Sequence, residues 1–345
     1  EISKVKYLNH IVIGLDKANE KEFHEAKKFF SELPQKHEIL WNDGPNLKSL
    51  DTMLAKQNLA PQELGKGRNV WYCMGYILSV GKAEAVALHD CDIITYSRSL
   101  LARLVYPVAN PKFNFDFCKG YYPRVSENKV KGRVARLLVT PLLRALEKTI
   151  GFNEFISFVD SFRYPLAGEF SFRRRVLKDI RIPYDWGLEI GVLSEMYRNY
   201  AGNRLCQVDI ADNYDHKHQD IFFDDNSKGL SKMSVDIIKV IIRKLASQGE
   251  PFSMSIFRSL KATYYREALD FVQIYKKDAL MNAYDIDVHE EETAVELFAK
   301  NIMVAGQVFL DSPMESPNIP TWSRVDTALP GFLYDLRKAV ELDNK

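Results

Sequence analysis

Short apolar runs alternate with stretches of helical period along the first half of the chain. His10-Ile11-Val12-Ile13-Gly14-Leu15 has the pattern of a buried strand, and Glu20 to Leu33 carries apolar residues at helical spacing until Pro34. A second strand, Glu38 to Trp41, runs into the turn Asn42-Asp43-Gly44-Pro45. A helix from Arg68 to Val80 then leads through Gly81-Lys82 to a third strand, Ala85 to Leu88, which ends on His89-Asp90-Cys91-Asp92.

Further along, Phe115 to Tyr122 is a candidate strand, Arg133 to Glu147 and Gly187 to Tyr200 are candidate helices, and Leu205 to Ile210 is a candidate strand. From Ser231 onward the pattern becomes long amphipathic helices, Val235 to Ser247 and Ser255 to Lys277 among them, with an irregular loop expected over Asp311 to Pro320. Strands alternating with helices predict an α/β fold on a parallel sheet, because right-handed crossovers pack each helix back on it. Ligands of such sheets bind beyond the carboxyl ends of the strands, where Asp43 and the pair Asp90/Asp92 fall.

Composition narrows the class. With 345 residues, 46% of them hydrophobic and 27% charged, the chain can bury a large core. A net charge of +1 supplies no general field toward nucleic acid or an anionic membrane, so any anion site must be local. Cys73, Cys91, Cys118 and Cys206 show neither a CxxC pair nor zinc spacing, as in reduced thiols of a cytoplasmic protein. No apolar run suggests a transmembrane segment, and no signal-peptide pattern opens the chain.

Five places could carry chemistry. Asp90-Cys91-Asp92 follows an apolar strand, where carboxylates can face a cation bridging two phosphates; an isolated Asp-x-Asp is about as often a turn cap. In Asp215-His216-Lys217-His218 the two imidazoles share a side if the segment is extended, although such a cluster is more often a solvated loop. Gly65-Lys66-Gly67-Arg68 offers a lysine and free helix amides to a phosphate but is too short for a P-loop, and an ordinary exposed loop is the usual alternative. Lys129 to Arg133 could hold an anion through the Arg133 fork or simply be a solvated face. Ala167-Gly168-Glu169 places a carboxylate just ahead of an expected helix, whose dipole would favour it there.

In this order these pieces resemble the glucosyl-3-phosphoglycerate synthases and their mannosyl-using relatives, retaining glycosyltransferases of GT-A-type fold. The resemblance rests on Gly65-Lys66-Gly67, Asp90-Cys91-Asp92, Gly132-Arg133-Val134, Pro141-Leu142-Leu143, Pro165 to Glu169, Gly187 to Gly191, and Asp215 to His218. It implies a Rossmann-like nucleotide-sugar domain over 1–225, divided near residue 110 into donor and acceptor halves, and a helical region over 226–345. It also implies a divalent metal, Mg2+ or Mn2+, on Asp92 and His216. Donor contacts fall to Lys66, Asp90, Asp43 and the turn Gly14-Leu15-Asp16, and acceptor contacts to Arg133, Glu189 and His218. Glu169 and Asp90 then flank the reacting centre. The implied reaction moves glucose or mannose from a UDP- or GDP-sugar to a small anionic acceptor such as 3-phosphoglycerate or a glycerate-like hydroxyl compound, in a cytoplasmic homodimer. Ala135 and His218 stand where the family usually has Thr and Asn, and Gly14-Leu15-Asp16-Lys17 replaces the usual first turn. Two other classes remain open on the residues alone: a sugar nucleotidyltransferase, although the turn after Gly14 lacks a Gly-rich basic run, and a non-catalytic scaffold of the same fold.

Overall fold

Side-chain capping and apolar periodicity set the elements of the computed structural model, which describes residues 1–215 and 229–345. The first half runs β1 (Ile11–Leu15), α1 (Glu20–Phe30), β2 (His37–Trp41), α2 (Pro45–Lys56), α3 (Lys66–Val80), β3 (Ala85–Leu88), α4 (Arg98–Ala109) and β4 (Phe117–Tyr121). A short hairpin of β5 (Val125–Ser126) and β6 (Lys129–Val130) leads to a π-type stretch over 134–139 and α5 (Thr140–Ile150). Next come α6 (Glu154–Asp160), β7 (Phe170–Arg173), α7 (Leu188–Asn199) and β8 (Leu205–Asp209). The rest is helical: α8 (Gly229–Ser247), α9 (Met254–Met281), α10 (Val288–Asp311), α11 (Trp322–Ala328) and α12 (Phe332–Asp343).

Local chemistry explains the boundaries. Asn19 and Glu22 form a reciprocal capping box at the start of α1, and Asn153, Ser253 and Asp287 cap α6, α9 and α10 through their side chains. Pro45 does not end a turn, as its neighbours suggest; it is the first residue of α2, where a missing amide costs nothing. Likewise Ser97 caps α4, an element whose apolar residues Leu100, Leu101, Leu104 and Val108 face inward although Pro107 interrupts the pattern.

The sheet is not all parallel. β1 and β2 pair in parallel, Ile13 beside Ile39, while a second sheet has the order β3-β7-β4-β8. Within it β7 is antiparallel to both neighbours, Leu88 facing Phe170 and Phe117 facing Phe172; only β4 and β8 run parallel. The helix expected after Glu169 is therefore a strand. Phe170-Ser171-Phe172-Arg173 is too short for its alternation to stand out, and its two phenylalanines are buried between sheet and helices. The antiparallel course has a direct consequence for function: it brings the amino end of β7, Gly168-Glu169, against the carboxyl end of β3, Asp90.

One apolar core extends from Leu40 in β2 to Val340 in α12, so the helical region is packed into the sheet layers. By length and composition alone α10 is apolar enough to span a bilayer, a test that the core helix of a globular protein also passes. Its Ala294, Val295, Phe298, Ile302 and Ala305 are instead buried in that core, where it packs on α8 and α9.

Candidate active site

The site is built from the ends of strands and the starts of helices. Gly65 and Gly67 let the first turn of α3 lie against the backbone of Pro183 and Tyr184; a Cβ on Gly67 would come within 1.7 Å of the Pro183 carbonyl oxygen. That close approach fixes Lys66, for which an ordinary loop was the usual expectation. Its Nζ lies 2.8 Å from Oδ1 of Asp90, beyond β3, and 3.0 Å from Oε1 of Glu189, in the first turn of α7. Burial works against the ammonium, but the charges of Glu189 and Asp90 outweigh it and hold its pKa above the ordinary value. Gly168 closes the group from above, since a Cβ there would sit 2.5 Å from Asp90 Oδ2 and 3.1 Å from Lys66 Nζ.

This cluster opens into a cavity of about 1460 Å3. Asp92 lines the same cavity, and so does the basic segment of Lys129, Lys131 and Arg133, together with Arg124. The segment is thus a wall of the cavity, with Lys129 exposed and Lys131 and Arg133 half-buried. Arg133 leads directly into the π-type stretch, where the amide of Thr140 bonds the carbonyl of Ala135; such insertions recur at functional sites because they re-aim side chains.

Glu169 lies one residue deeper. Its side chain is 0% exposed, and its two carboxylate oxygens accept from the hydroxyls of Tyr122 at 2.7 Å and Tyr214 at 2.6 Å. Those rings stack at 3.6 Å and both line the cavity, so Glu169 faces it only through them. Burial, reinforced by the charge of Asp90, raises its pKa, and the two hydroxyls oppose that rise.

At the other sheet, Gly14, Leu15, Asp16 and Asp43 do not line the cavity, and Gly14 and the neighbouring Asn42 reach it through hydrogen bonds to Asn69. Asp16 pairs with Arg68 at 3.2 Å, Asp43 accepts from the amide of Ala18 at 3.0 Å, and Asn69 donates to the carbonyl of Gly14 at 3.1 Å. Asn69 also accepts from Asn42 at 2.7 Å and itself lines the cavity. The turns after β1 and β2 therefore join the Lys66 end of the site.

His216 and His218 lie outside the described residues. Asp215, immediately before them, is bonded through its backbone to Ile94 at 2.8 Å and to the hydroxyl of Thr95 at 3.0 Å, in the segment that carries Asp92. Among the described residues no group of three or more His, Cys, Asp and Glu side chains forms a metal cluster by itself. What they do offer is Asp92, a hard oxygen donor at the cavity wall.

Several residues at the site carry little or no signal in the sequence. Lys119 is 1% exposed in the middle of β4, its Nζ donating to the carbonyl of Ala167 at 2.6 Å. Burial lowers its pKa to about 8, with Glu189 and Glu169 pulling the other way. A lone lysine inside Phe117-Cys118-Lys119-Gly120-Tyr121 was the available clue. Tyr122, Tyr214, Glu290 and Glu291 carry no motif, because each reaches the site only through tertiary contacts.

No family profile matches the chain. It is 45% identical over 344 residues to a curated protein of Persephonella marina named glucosyl-3-phosphoglycerate synthase, covering 100% of this chain and 85% of that protein. A protein of the same name from Methanococcoides burtonii is 35% identical over 349 residues, again covering 100% and 85%. Among solved structures, mannosyl-3-phosphoglycerate synthase from Rubrobacter xylanophilus aligns with a TM-score of 0.48 at 20% identity, over 71% of this chain and 75% of that one.

Proposed function

This chain belongs to the glucosyl-3-phosphoglycerate synthase family, and from that premise we propose that it transfers a hexosyl group from a nucleotide-sugar to the hydroxyl of a small anionic acceptor. UDP-glucose and 3-phosphoglycerate are the first pair to test, with GDP-mannose and glycerate as the alternatives. The observation that carries this reading is the single cavity whose one end holds Lys66, Asp90 and Glu189 and whose wall presents Arg124, Lys129, Lys131 and Arg133. A diphosphate and an acceptor anion both need cations, and the cavity offers them at two places.

At the donor end Lys66 stays charged and can follow the charge that grows on the leaving diphosphate, while Asp90 and Glu189 hold its ammonium in place. By resemblance, the turns carrying Gly14, Leu15, Asp16 and Asp43 would receive base and ribose, and Asn69 links Gly14 to the cavity. Asp92 and, by resemblance, His216 would hold Mg2+ or Mn2+. Carboxylate oxygen suits either ion, and an imidazole favours manganese. Once bound, the ion supplies charge neutralisation for the diphosphate, a contribution of several kcal/mol.

At the acceptor end Arg133 offers a planar fork to phosphate or carboxylate. Ala135 presents no hydroxyl, so anion recognition there falls to the guanidinium and the nearby lysines. Glu169 is a positioning residue in this reading: it orients Tyr122 and Tyr214 and places negative charge behind them, where a cation-like anomeric carbon would form. We assign the donor half to about 1–110, the acceptor half to 111–225 and the helical region to 226–345.

Incubating the protein with UDP- and GDP-hexoses, 3-phosphoglycerate or glycerate, and Mg2+ or Mn2+, with mass detection of the product, tests the whole proposal. A hexosyl-acceptor adduct formed only with metal supports it. Metal-dependent donor hydrolysis that no acceptor in the panel redirects would refute the acceptor assignment.

A further inference from the structure

Arg133 does not face the cavity as a bare cation. Its Nε donates to Oε1 of Glu291 at 3.0 Å, and a terminal nitrogen lies 3.0 Å from Oε1 of Glu290. The second oxygen of Glu291 accepts from Arg136 at 2.7 Å, and Arg136 is itself held by the carbonyl of Lys131 and by the face of Tyr275. These two neighbours on α10 sit in different surroundings. The Glu291 side chain is 2% exposed between two guanidinium groups, whereas that of Glu290 is 50% exposed at the cavity rim. A helix turns by about 100° per residue, so consecutive side chains are separated in this way.

The charges in this group cancel. Arg133 and Arg136 are balanced by Glu290 and Glu291, so these four side chains together present no net positive charge to an arriving anion. Asp285 and Asp287 also line the cavity and offset two of the three positive charges of Arg124, Lys129 and Lys131. If the Glu290 side chain swings away, the two arginines and Glu291 retain one net positive charge and a free guanidinium edge. Glu290 has the solvent access for that movement. Glu291, clamped from two sides, does not.

We propose that Glu290 is a specificity-determining residue: it occupies Arg133 as an internal anion that the acceptor must displace, while Glu291 is the positioning residue that keeps the guanidinium aimed at the cavity for either occupant. The inference rests on Arg133 being the acceptor-binding arginine. It makes the affinity for the acceptor, but not for the donor, a property of the start of α10. A more highly charged acceptor competes better with Glu290, so the helix selects for phosphate-bearing over merely carboxylate-bearing acceptors.

Steady-state kinetics of the full chain and its E290Q, E291Q and R133Q variants test this with 3-phosphoglycerate and glycerate. E290Q is expected to lower the KM for 3-phosphoglycerate by about two- to fivefold, the range set by a half-exposed ion pair, with a smaller change for glycerate and none in donor KM. E291Q is expected to raise the KM for 3-phosphoglycerate with donor KM unchanged, a split that general loss of folding would not produce. An E290Q variant whose KM for 3-phosphoglycerate is unchanged or raised overturns the proposal, even if E291Q does not fold. R133Q separates the two layers. If it leaves the acceptor KM unaltered, the assignment of Arg133 fails; if it raises that KM while E290Q does nothing, the assignment stands and the role of Glu290 falls.

Discussion

Gly168 shows how little room a single residue leaves at this site. Its missing side chain is the space in which Asp90 and Lys66 meet, and an added methyl must displace one of them. Overpacking of this kind costs about 1–3 kcal/mol, so G168A should lower kcat/KM for the donor roughly tenfold or more with only a modest fall in Tm. Kinetics beside a thermal melt checks it; near-normal donor kinetics would show that the pair is not needed. Lys119 invites a test by pH. Its folded pKa, about 8, lies below the ordinary lysine value, so between these limits the unfolded chain binds more protons than the folded one. Stability attributable to this group therefore rises with pH above 8, as the cost of burying its charge is removed. In K119M that increment should be missing, so urea midpoints of the two proteins measured from pH 8 to 10 should differ in slope; parallel curves would rule out the assignment. Of the site residues, Lys66, Asp90, Asp92, Arg133 and Glu189 were legible as residue types in motifs. Lys119, Tyr122, Tyr214, Glu290 and Glu291 were not, because no local pattern marks a side chain whose role comes from a distant partner.

Elements were legible where their pattern is long or their strand isolated. β3 falls on the expected residues, and β1, β2, α3, α7 and β8 differ from expectation by a residue or two at their ends. The missed ones have identifiable causes: Pro45 and Pro107 look like breakers in α2 and α4, and β7 is four residues long. How α3 is anchored could not be read at all. Trp71 of α3 stacks on Trp322 of α11 at 4.0 Å, Trp71 Nε1 donating to the carbonyl of Pro320 and Trp322 Nε1 to that of Trp71. Because α3 begins with Lys66, this distant contact supports the Lys66 end of the cavity. Trp322 is almost fully buried, and W322A should cost about 3–5 kcal/mol in chemical denaturation. A cost below about 1 kcal/mol would mean that α11 is not a support for α3.

At the scale of the whole molecule the chain closes on itself. Asn344, just after α12, donates to the carbonyl of Ile39 at 2.8 Å and accepts from its amide at 2.9 Å, pairing the open edge of β2 as another strand would. N344A would leave both buried backbone groups of Ile39 without partners, so a loss of about 1–3 kcal/mol is expected in equilibrium unfolding. An unchanged midpoint would show that the edge is served by water instead. Periodicity and turn chemistry act over a few residues, so the amino-acid pattern alone was enough for the α/β class, the helical second part, the turns beyond β1, β2 and β3, and the acidic and basic motifs that line the cavity. Only the tertiary structure decided that β7 runs antiparallel and so sets Gly168 on Asp90, that Glu169 works from behind two tyrosines, and that α10 reaches Arg133. Those outcomes depend on which surfaces bury each other across long stretches of chain, and no window of sequence contains both partners.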